Sequence, residues 1–317
     1  IEESIARMSN VKVIQTLTAG FDNVQPFVPA DATLCNAAGV HDDATSELAV
    51  LLTLSVLRDM PRSYKAQQDH HWETYFARSL ADKTVLLIGY GNVGKAAEKR
   101  LLGFGCKVIP VARTARDHVH AISELPHLIP SADVVMLIVP NNPGTVNLVD
   151  AKFLASMKDD SVLVNVARGV VVDTEALLAE LRTGRIAAAL DVTEPEPLPA
   201  DHPLWSMPNV IITSHNGGEG DVFWDRARAR IHSQFDLWLA GKPLDVYLDE
   251  RLFKPLGITG HAWMKDQAGT PMGMAGLSLS AVDLAAIGRL MLDGGVTPGG
   301  KRLLSERSVA LMTAESA

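Results

Sequence analysis

The chain has 317 residues, 47% of them hydrophobic, and its 29 basic against 37 acidic side chains leave a net charge of −8. That length and apolar content imply more than one globular core, while an acidic balance without a basic block argues against a surface that neutralises nucleic-acid phosphates. Two cysteines, Cys35 and Cys106, without a CxxC or Cys/His cluster, argue against a disulfide framework or a zinc site. A cytoplasmic setting with no metal and no membrane partner is expected, since no apolar run reaches the roughly 18 residues that span a bilayer.

In chain order, "VKVIQTLTAG" (11–20) reads as a strand into a Gly turn. "TSELAVLLTLSVLRDM" (45–60) reads as a helix apolar nearly all round, which fits either a buried core helix or a dimer interface. From residue 84 the cadence is that of βαβ units. Six strands are expected at 84–88, 106–111, 133–139, 161–166, 187–192 and 209–213, with helices at 92–104, 120–129, 150–157 and 173–183, the last ending at Gly184. Residues 224–241 read as an amphipathic helix ending at Gly241. A Gly/Ser-rich texture follows from about 250, with helices expected at 281–292 and 305–313.

The stretch "VLLIGYGNVG" (85–94) places Gly89, Gly91 and Gly94 at G-x-G-x-x-G spacing between a strand and a helix that opens with Asn92 and Val93. In that context Gly89 allows a tight turn, Gly91 a close approach of backbone to a pyrophosphate, and Gly94 close helix–strand packing, with the helix N-terminus facing the phosphates. The second strand ends "IPVART" without an acidic residue to hold an adenosine ribose, and Arg113 and Thr114 follow where a 2′-phosphate would sit. NADP(H) is therefore the expected cofactor, with NAD(H) as the second choice; a solvated Arg-Thr turn is the bland alternative. Pro110 inside this strand removes a ladder donor, and the sequence offers no reason for it.

Three polar residues follow later strands: Arg168 in "VNVARGVVVDTEAL", Glu196 in "LDVTEPEPL" and His215 in "VIITSHNGG". Reduction of a 2-oxo acid needs a cation for the carboxylate, a proton donor for the carbonyl oxygen, and a carboxylate beside that donor; these three supply one of each. Glu194 competes with Glu196 for the last role.

The motifs "GYGNVG", "VNVARGVVVDTEALLAEL", "LDVTEPEPLPADHPLW" and "NVIITSHNGG", in this order, together with "QTLTAGFDNV", resemble those of the D-isomer-specific 2-hydroxyacid dehydrogenases over about residues 1–246. The resemblance implies an α/β chain with a Rossmann-type doubly wound parallel sheet and a flavodoxin-like substrate domain. It implies His215 as acid/base, Glu196 as its partner, Arg168 as substrate clamp, and Ala19 and Gly20 as amide donors to the substrate carboxylate. Asp191 would hold the nicotinamide carboxamide, and Pro140, Thr145, Val166, Ala167, His215 and Gly217 would line the cofactor. Ser214 departs from the Pro that many relatives carry before the His.

By the same resemblance the substrate domain lacks its first part, and the expected organisation is 1–68 substrate domain, 69–218 dinucleotide-binding domain, 219–247 return to the substrate domain, and 248–317 an appended segment. Residues 253–314, notably "GLSLSAVDLAAIGRLMLDGG", resemble a late portion of class C β-lactamase and penicillin-binding-protein-like serine hydrolases. None of the motifs that such a hydrolase needs occurs there, and "SNVK" (9–12) matches Ser-x-x-Lys only as a string. The expectation is a fused chain whose chemistry is a glyoxylate/hydroxypyruvate-type reduction in a homodimer. The alternatives are a dinucleotide-binding protein without catalysis and, further off, a serine hydrolase.

Overall fold

The structure, a computed structural model, describes residues 2–6, 11–239, 244–263 and 277–313. Ser9 and Asn10 of the SNVK string, Gly241, and residues 264–276 and 314 of the 253–314 resemblance lie outside the described residues; Lys12 of that string is ion-paired with Asp31. The chain divides into two compact units, 1–230 and 231–317.

The first unit opens with a short helix α1 (Glu2–Ala6) and a parallel pair, β1 (Val13–Gln15) and β2 (Thr33–Cys35). Helices α2 (Asp42–Leu57) and α3 (Met60–Gln68) follow, and then the main sheet with its covering helices. These are β3 (Thr84–Ile88), α4 (Asn92–Leu102), β4 (Lys107–Ala112), β5 (His120–Ala121), α5 (Leu125–Leu128), β6 (Val134–Leu137), α6 (Ala151–Ser156), β7 (Val162–Asn165), α7 (Thr174–Arg182), β8 (Ala187–Leu190) and β9 (Val210–Ile212). The seven strands are all parallel, in the order β5-β4-β3-β6-β7-β8-β9. The order reverses between β3 and β6, so the crevice outside their carboxyl ends is the place where an open α/β sheet takes a ligand.

Alternation along the strands assigns each side chain to one face. Val85, Leu87, Val134, Met136, Val162, Val164 and Ala189 pack with α2 (Ala49, Leu52, Leu57) and α4 (Ala97, Leu101). Leu86, Ile88, Val135, Leu137, Leu163, Ala188 and Leu190 pack with α6 (Phe153, Leu154) and α7 (Leu177, Leu178, Leu181) on the other face. Because both faces are covered, each strand reads as an unbroken apolar run, which is why its position is visible in the sequence.

The structure corrects the sequence reading at three places. The stretch 120–129 is not one helix: it is the two-residue edge strand β5, a 3-10 turn and a single helical turn, so the sheet has seven strands and not six. Helix α2 begins at Asp42, three residues before the expected start, and turns its apolar side to the sheet, leaving Leu51 (56% exposed) as an outward apolar residue. Pro110 has a simple account. Lys107 N and Val111 O bond toward β3, so the even-numbered Pro110 turns its missing donor to the other side, where β5 pairing starts only at Val111.

Helix α8 (Phe223–Leu239) follows the sheet. The second unit contains α9 (Leu244–Leu248), the antiparallel pair β10 (Ala262–Trp263) and β11 (Leu277–Ser278), α10 (Ala281–Leu292) and α11 (Glu306–Thr313). Ser280 caps α10, its hydroxyl accepting from Asp283 N while the Asp283 carboxylate accepts from Ser280 N. Phe253, Ile258 and Leu290 are its most buried apolar residues. No helix among the described residues is long and apolar enough to cross a membrane.

At the amino end of the sheet, Asp133 accepts from Thr84 N (2.9 Å) and Lys158 Nζ (2.6 Å). Burial pushes its carboxyl up, but these two bonds and the Lys158 and Lys83 charges outweigh it and hold the group below the usual Asp range. A depressed carboxyl stabilises the fold above its unfolded value and loses that contribution as pH falls through the folded one. Asp133→Asn is expected to lower stability at neutral pH by about 1–2 kcal/mol in denaturant titrations, with the difference from wild type shrinking as pH falls through the lowered range of the carboxyl.

Candidate active site

The turn after β3 carries the first part of the site. Gly89 has a φ of +109°, and a side chain there would collide with the Ile138 carbonyl at the end of β6; a side chain at Gly94 would strike the Gly89 carbonyl. At Gly91 the space is open, with no atom within 4 Å of the position a side chain would take. Gly91 is the N-cap of α4 and provides no side-chain cap, so the amides of the first turn, from Asn92, Val93 and Gly94, are not taken by a capping group. Open approach plus uncapped amides fit a pyrophosphate.

Arg113 and Thr114 are exposed just past the end of β4. Arg116, which the sequence reading did not single out, ties this loop to the glycine turn: its Nη2 donates to Tyr90 O (2.9 Å) and its guanidinium lies 5.9 Å from the Tyr90 ring centre. The Tyr90 hydroxyl bonds Glu98 and approaches His118 Nε2 (3.1 Å); burial, with Glu98 beside it, pushes the phenol up to about 12. In the loop after β6, Pro140 is exposed, but Thr145 is buried. The Thr145 hydroxyl lies 2.7 Å from Pro140 O and accepts from Asn142 N (3.0 Å), so it shapes the loop from within.

After β7, the Asn165 side chain builds the turn that presents Arg168, donating to Arg168 O (3.0 Å) and accepting from Ala167 N (3.0 Å). Val166 and Ala167 are buried in that turn. Gly169 lets the turn lie against the Thr193 carbonyl, where a side chain has no room. The Arg168 guanidinium donates to Ala167 O (2.8 Å), and its Nη2 is 3.5 Å from Asp22 Oδ1. Its Nη2 lies against Gly20, where a side chain would have to displace the guanidinium. Ala19 O accepts from Asn36 Nδ2 (2.9 Å), which holds the 16–20 loop in place. Asp22 is thus a carboxylate beside the one cation proposed for a substrate carboxylate; its only sequence signal was an acid two residues past Gly20.

After β8, Asp191 is 3% exposed and its carboxylate accepts from Thr213 Oγ1 (2.6 Å), Asn216 N (2.8 Å) and Gly217 N (2.9 Å). Its carbonyl accepts from His215 N (2.8 Å). These four bonds fix the loop after β9, including His215 in a left-handed conformation (φ +54°). They occupy most of the carboxylate, so Asp191 holds the loop in which the resemblance places a cofactor contact. A side chain at Gly217 would come within 2.9 Å of Asp191 Oδ2.

His215 Nδ1 is 2.6 Å from Glu196 Oε1. Glu194 is used differently: its carbonyl accepts from Thr174 Oγ1 (2.8 Å). The structure therefore brings together His215 with Glu196, and Arg168 with Gly20 and Asp22, at the carboxyl ends of the strands. Among the described residues no group of three or more His, Cys, Asp or Glu side chains could hold a metal ion.

Residues 50–217 match the family described as D-isomer specific 2-hydroxyacid dehydrogenase, NAD binding domain. The chain is 38% identical to a glyoxylate reductase of Thermofilum pendens over 65% of each chain, and 33% identical to a hydroxypyruvate reductase of Thermotoga maritima over 78% of this chain and 79% of that one. It is similar to the structure of a D-isomer specific 2-hydroxyacid dehydrogenase from Xanthobacter autotrophicus in complex with NADPH and MES (32% identity, TM-score 0.67, covering 75% of this chain and 78% of that one). With the parallel sheet, the glycine turn and the ordered motifs, these matches show that the chain belongs to the family of D-isomer specific 2-hydroxyacid dehydrogenases.

Proposed function

We propose that this chain reduces small 2-oxo acids such as glyoxylate or hydroxypyruvate, with NADP(H) as the preferred cofactor and NAD(H) as the second choice. The observation that carries the reading is the His215–Glu196 contact at 2.6 Å, within the same unit as Arg168 on Gly20. The bound nicotinamide would supply the hydride. Glu196 takes Nδ1 of His215, which leaves Nε2 as the nitrogen that gives a proton to the carbonyl oxygen, and the carboxylate balances the imidazolium charge. Arg168 meets the substrate carboxylate, and its fork geometry suits a planar carboxylate better than an ammonium would. Ala19 and Gly20 border that carboxylate, and Asp22 competes with it for the guanidinium. Gly89, Gly91, Asn92, Val93 and Gly94 would hold the pyrophosphate, and Pro140, Val166, Ala167 and Gly217 would line the nicotinamide end.

NADP(H) preference rests on Arg113 and Thr114, on the absence of an acid at the end of β4, and on Arg116 holding their loop to the glycine turn. A second copy of the chain is the proposed partner. Trp72 is 92% exposed and Phe76 is fully exposed in the segment after α3, and Phe76 borders a cleft of about 280 Å³ that it shares with Val56, Pro61, Val210 and Ile211 at the open β9 edge. Two exposed large aromatics four residues apart, one of them beside the sheet edge, support an interface here.

Three outcomes check this reading. Glyoxylate added to the protein with NADPH should consume the cofactor, and His215→Ala or Arg168→Ala should remove turnover; Glu196→Gln should lower kcat by about a hundredfold and Glu194→Gln leave it within about twofold. Tight NADPH binding with no turnover of any 2-oxo acid would instead select a non-catalytic dinucleotide-binding protein. In fluorescence titrations Arg113→Ala should weaken NADPH by about ten- to a hundredfold and leave NADH unchanged. In sedimentation, a Trp72→Ala/Phe76→Ala double variant should move the protein from dimer to monomer; an unchanged dimer would place the interface elsewhere.

A further inference from the structure

His41 is the N-cap of α2, and its ring reaches two other segments. Nε2 lies 2.8 Å from Leu17 O, in the loop that leads to Ala19 and Gly20, and Nδ1 lies 3.0 Å from Gly218 O, in the loop that carries His215. Phe223 stacks on the ring with centroids 5.1 Å apart and planes 21° from parallel. The fit at the second contact is close, since a side chain at Gly218 would stand 2.7 Å from His41 Nδ1.

Both partners are carbonyl oxygens, which only accept, and a neutral imidazole has a single N–H to give. Neither tautomer satisfies both contacts; the imidazolium satisfies both. We infer that His41 is a positioning residue that, as an imidazolium, ties the substrate loop (Thr16–Gly20) to the loop bearing His215, and that its deprotonation releases the substrate loop. The role in the reaction rests on the reductase reading above; the tie itself does not.

The direction of release follows from exposure. The Gly218 contact is half-buried, whereas the Leu17 contact is exposed, so water takes over as donor at Leu17. The neutral ring therefore keeps Gly218 and gives up Leu17. The charged groups around it are Asp42 and Asp43 in the first turn of α2, Arg226 of α8 (2.6 Å from Asp43), and Arg100 of α4 (2.8 Å from Asp43), with Glu219 and Asp221 in the loop after Gly218. Residues 16–20 contain no charged side chain. The tie thus needs both ring N–H groups and loosens when one of them is lost.

The test has two arms. In the free wild-type protein, nitrogen-15 NMR at about pH 6 should show both His41 ring nitrogens protonated, and amide exchange of segment 13–38 should show protection that falls by about tenfold between about pH 6 and pH 9. A single ring N–H at the lower pH, or equal protection at both, overturns the proposal. In the second arm His41→Phe keeps a ring on Phe223 and removes both donors. Its KM for glyoxylate at about pH 6 should rise about tenfold with kcat within about twofold, and the rise of the wild-type KM with pH should flatten. An unchanged KM, or a parallel fall in kcat, overturns the positioning role. His41→Asn serves if the first variant does not fold, and a protein that turns over no 2-oxo acid sinks the reductase reading while the NMR and exchange results still decide the tie.

Discussion

At the end of β8 a carboxylate with almost no exposed surface accepts three hydrogen bonds from one loop, and the carbonyl of the same residue accepts a fourth. A buried charge is tolerated only when its lone pairs are met, and Asp191 meets them with Thr213 Oγ1 and the amides of Asn216 and Gly217. The consequence is a loop with little freedom, in which His215 sits at positive φ with its ring on Glu196. The position of that ring depends on Asp191 more than on any residue next to it in the chain.

The sheet places the other groups around that loop. Gly89 and Gly94 are glycines because the turn after β3 runs against the Ile138 carbonyl and then against its own backbone, whereas Gly91 faces open space. The same close approach recurs at Gly169 against Thr193 and at Gly20 against Arg168. Each removes a side chain where two segments must touch, and together they draw the strand ends toward one crevice. Contact of this kind is sensitive to a single added carbon at Gly89, Gly94 and Gly169, because interiors are close-packed and the neighbours there are main chain.

The substrate side is held by lighter means. Loop 16–20 is fixed by Asn36 on Ala19 O, by the His41 ring on Leu17 O and by the guanidinium on Gly20, all near the surface. Such a loop opens at lower free energy than the sheet, which suits the proposed role of a segment that admits and releases a small acid. Asp22 adds an electrostatic element: its carboxylate stands 3.5 Å from the Arg168 guanidinium, so on the proposed reading a substrate carboxylate would displace a weak partner.

The sequence by itself determined the sheet, the dinucleotide turn and the candidate triad. Strands buried on both faces are continuous apolar runs, and glycines at fixed spacing between a strand and a helix leave few other readings. It could not determine β5, which at two residues has no period to detect, and it favoured Glu196 over Glu194 only through the resemblance, since both acids are followed alike by proline. Pro110, a defect in the sequence, is harmless once its missing donor faces the unpaired stretch before β5. Arg116 and His41 carry no local signal and Asp22 almost none, because each acts on a segment distant in the chain. Only the tertiary structure decided them: a hydrogen bond needs its partner within about 3 Å, and sequence spacing does not state which loops the fold brings that close.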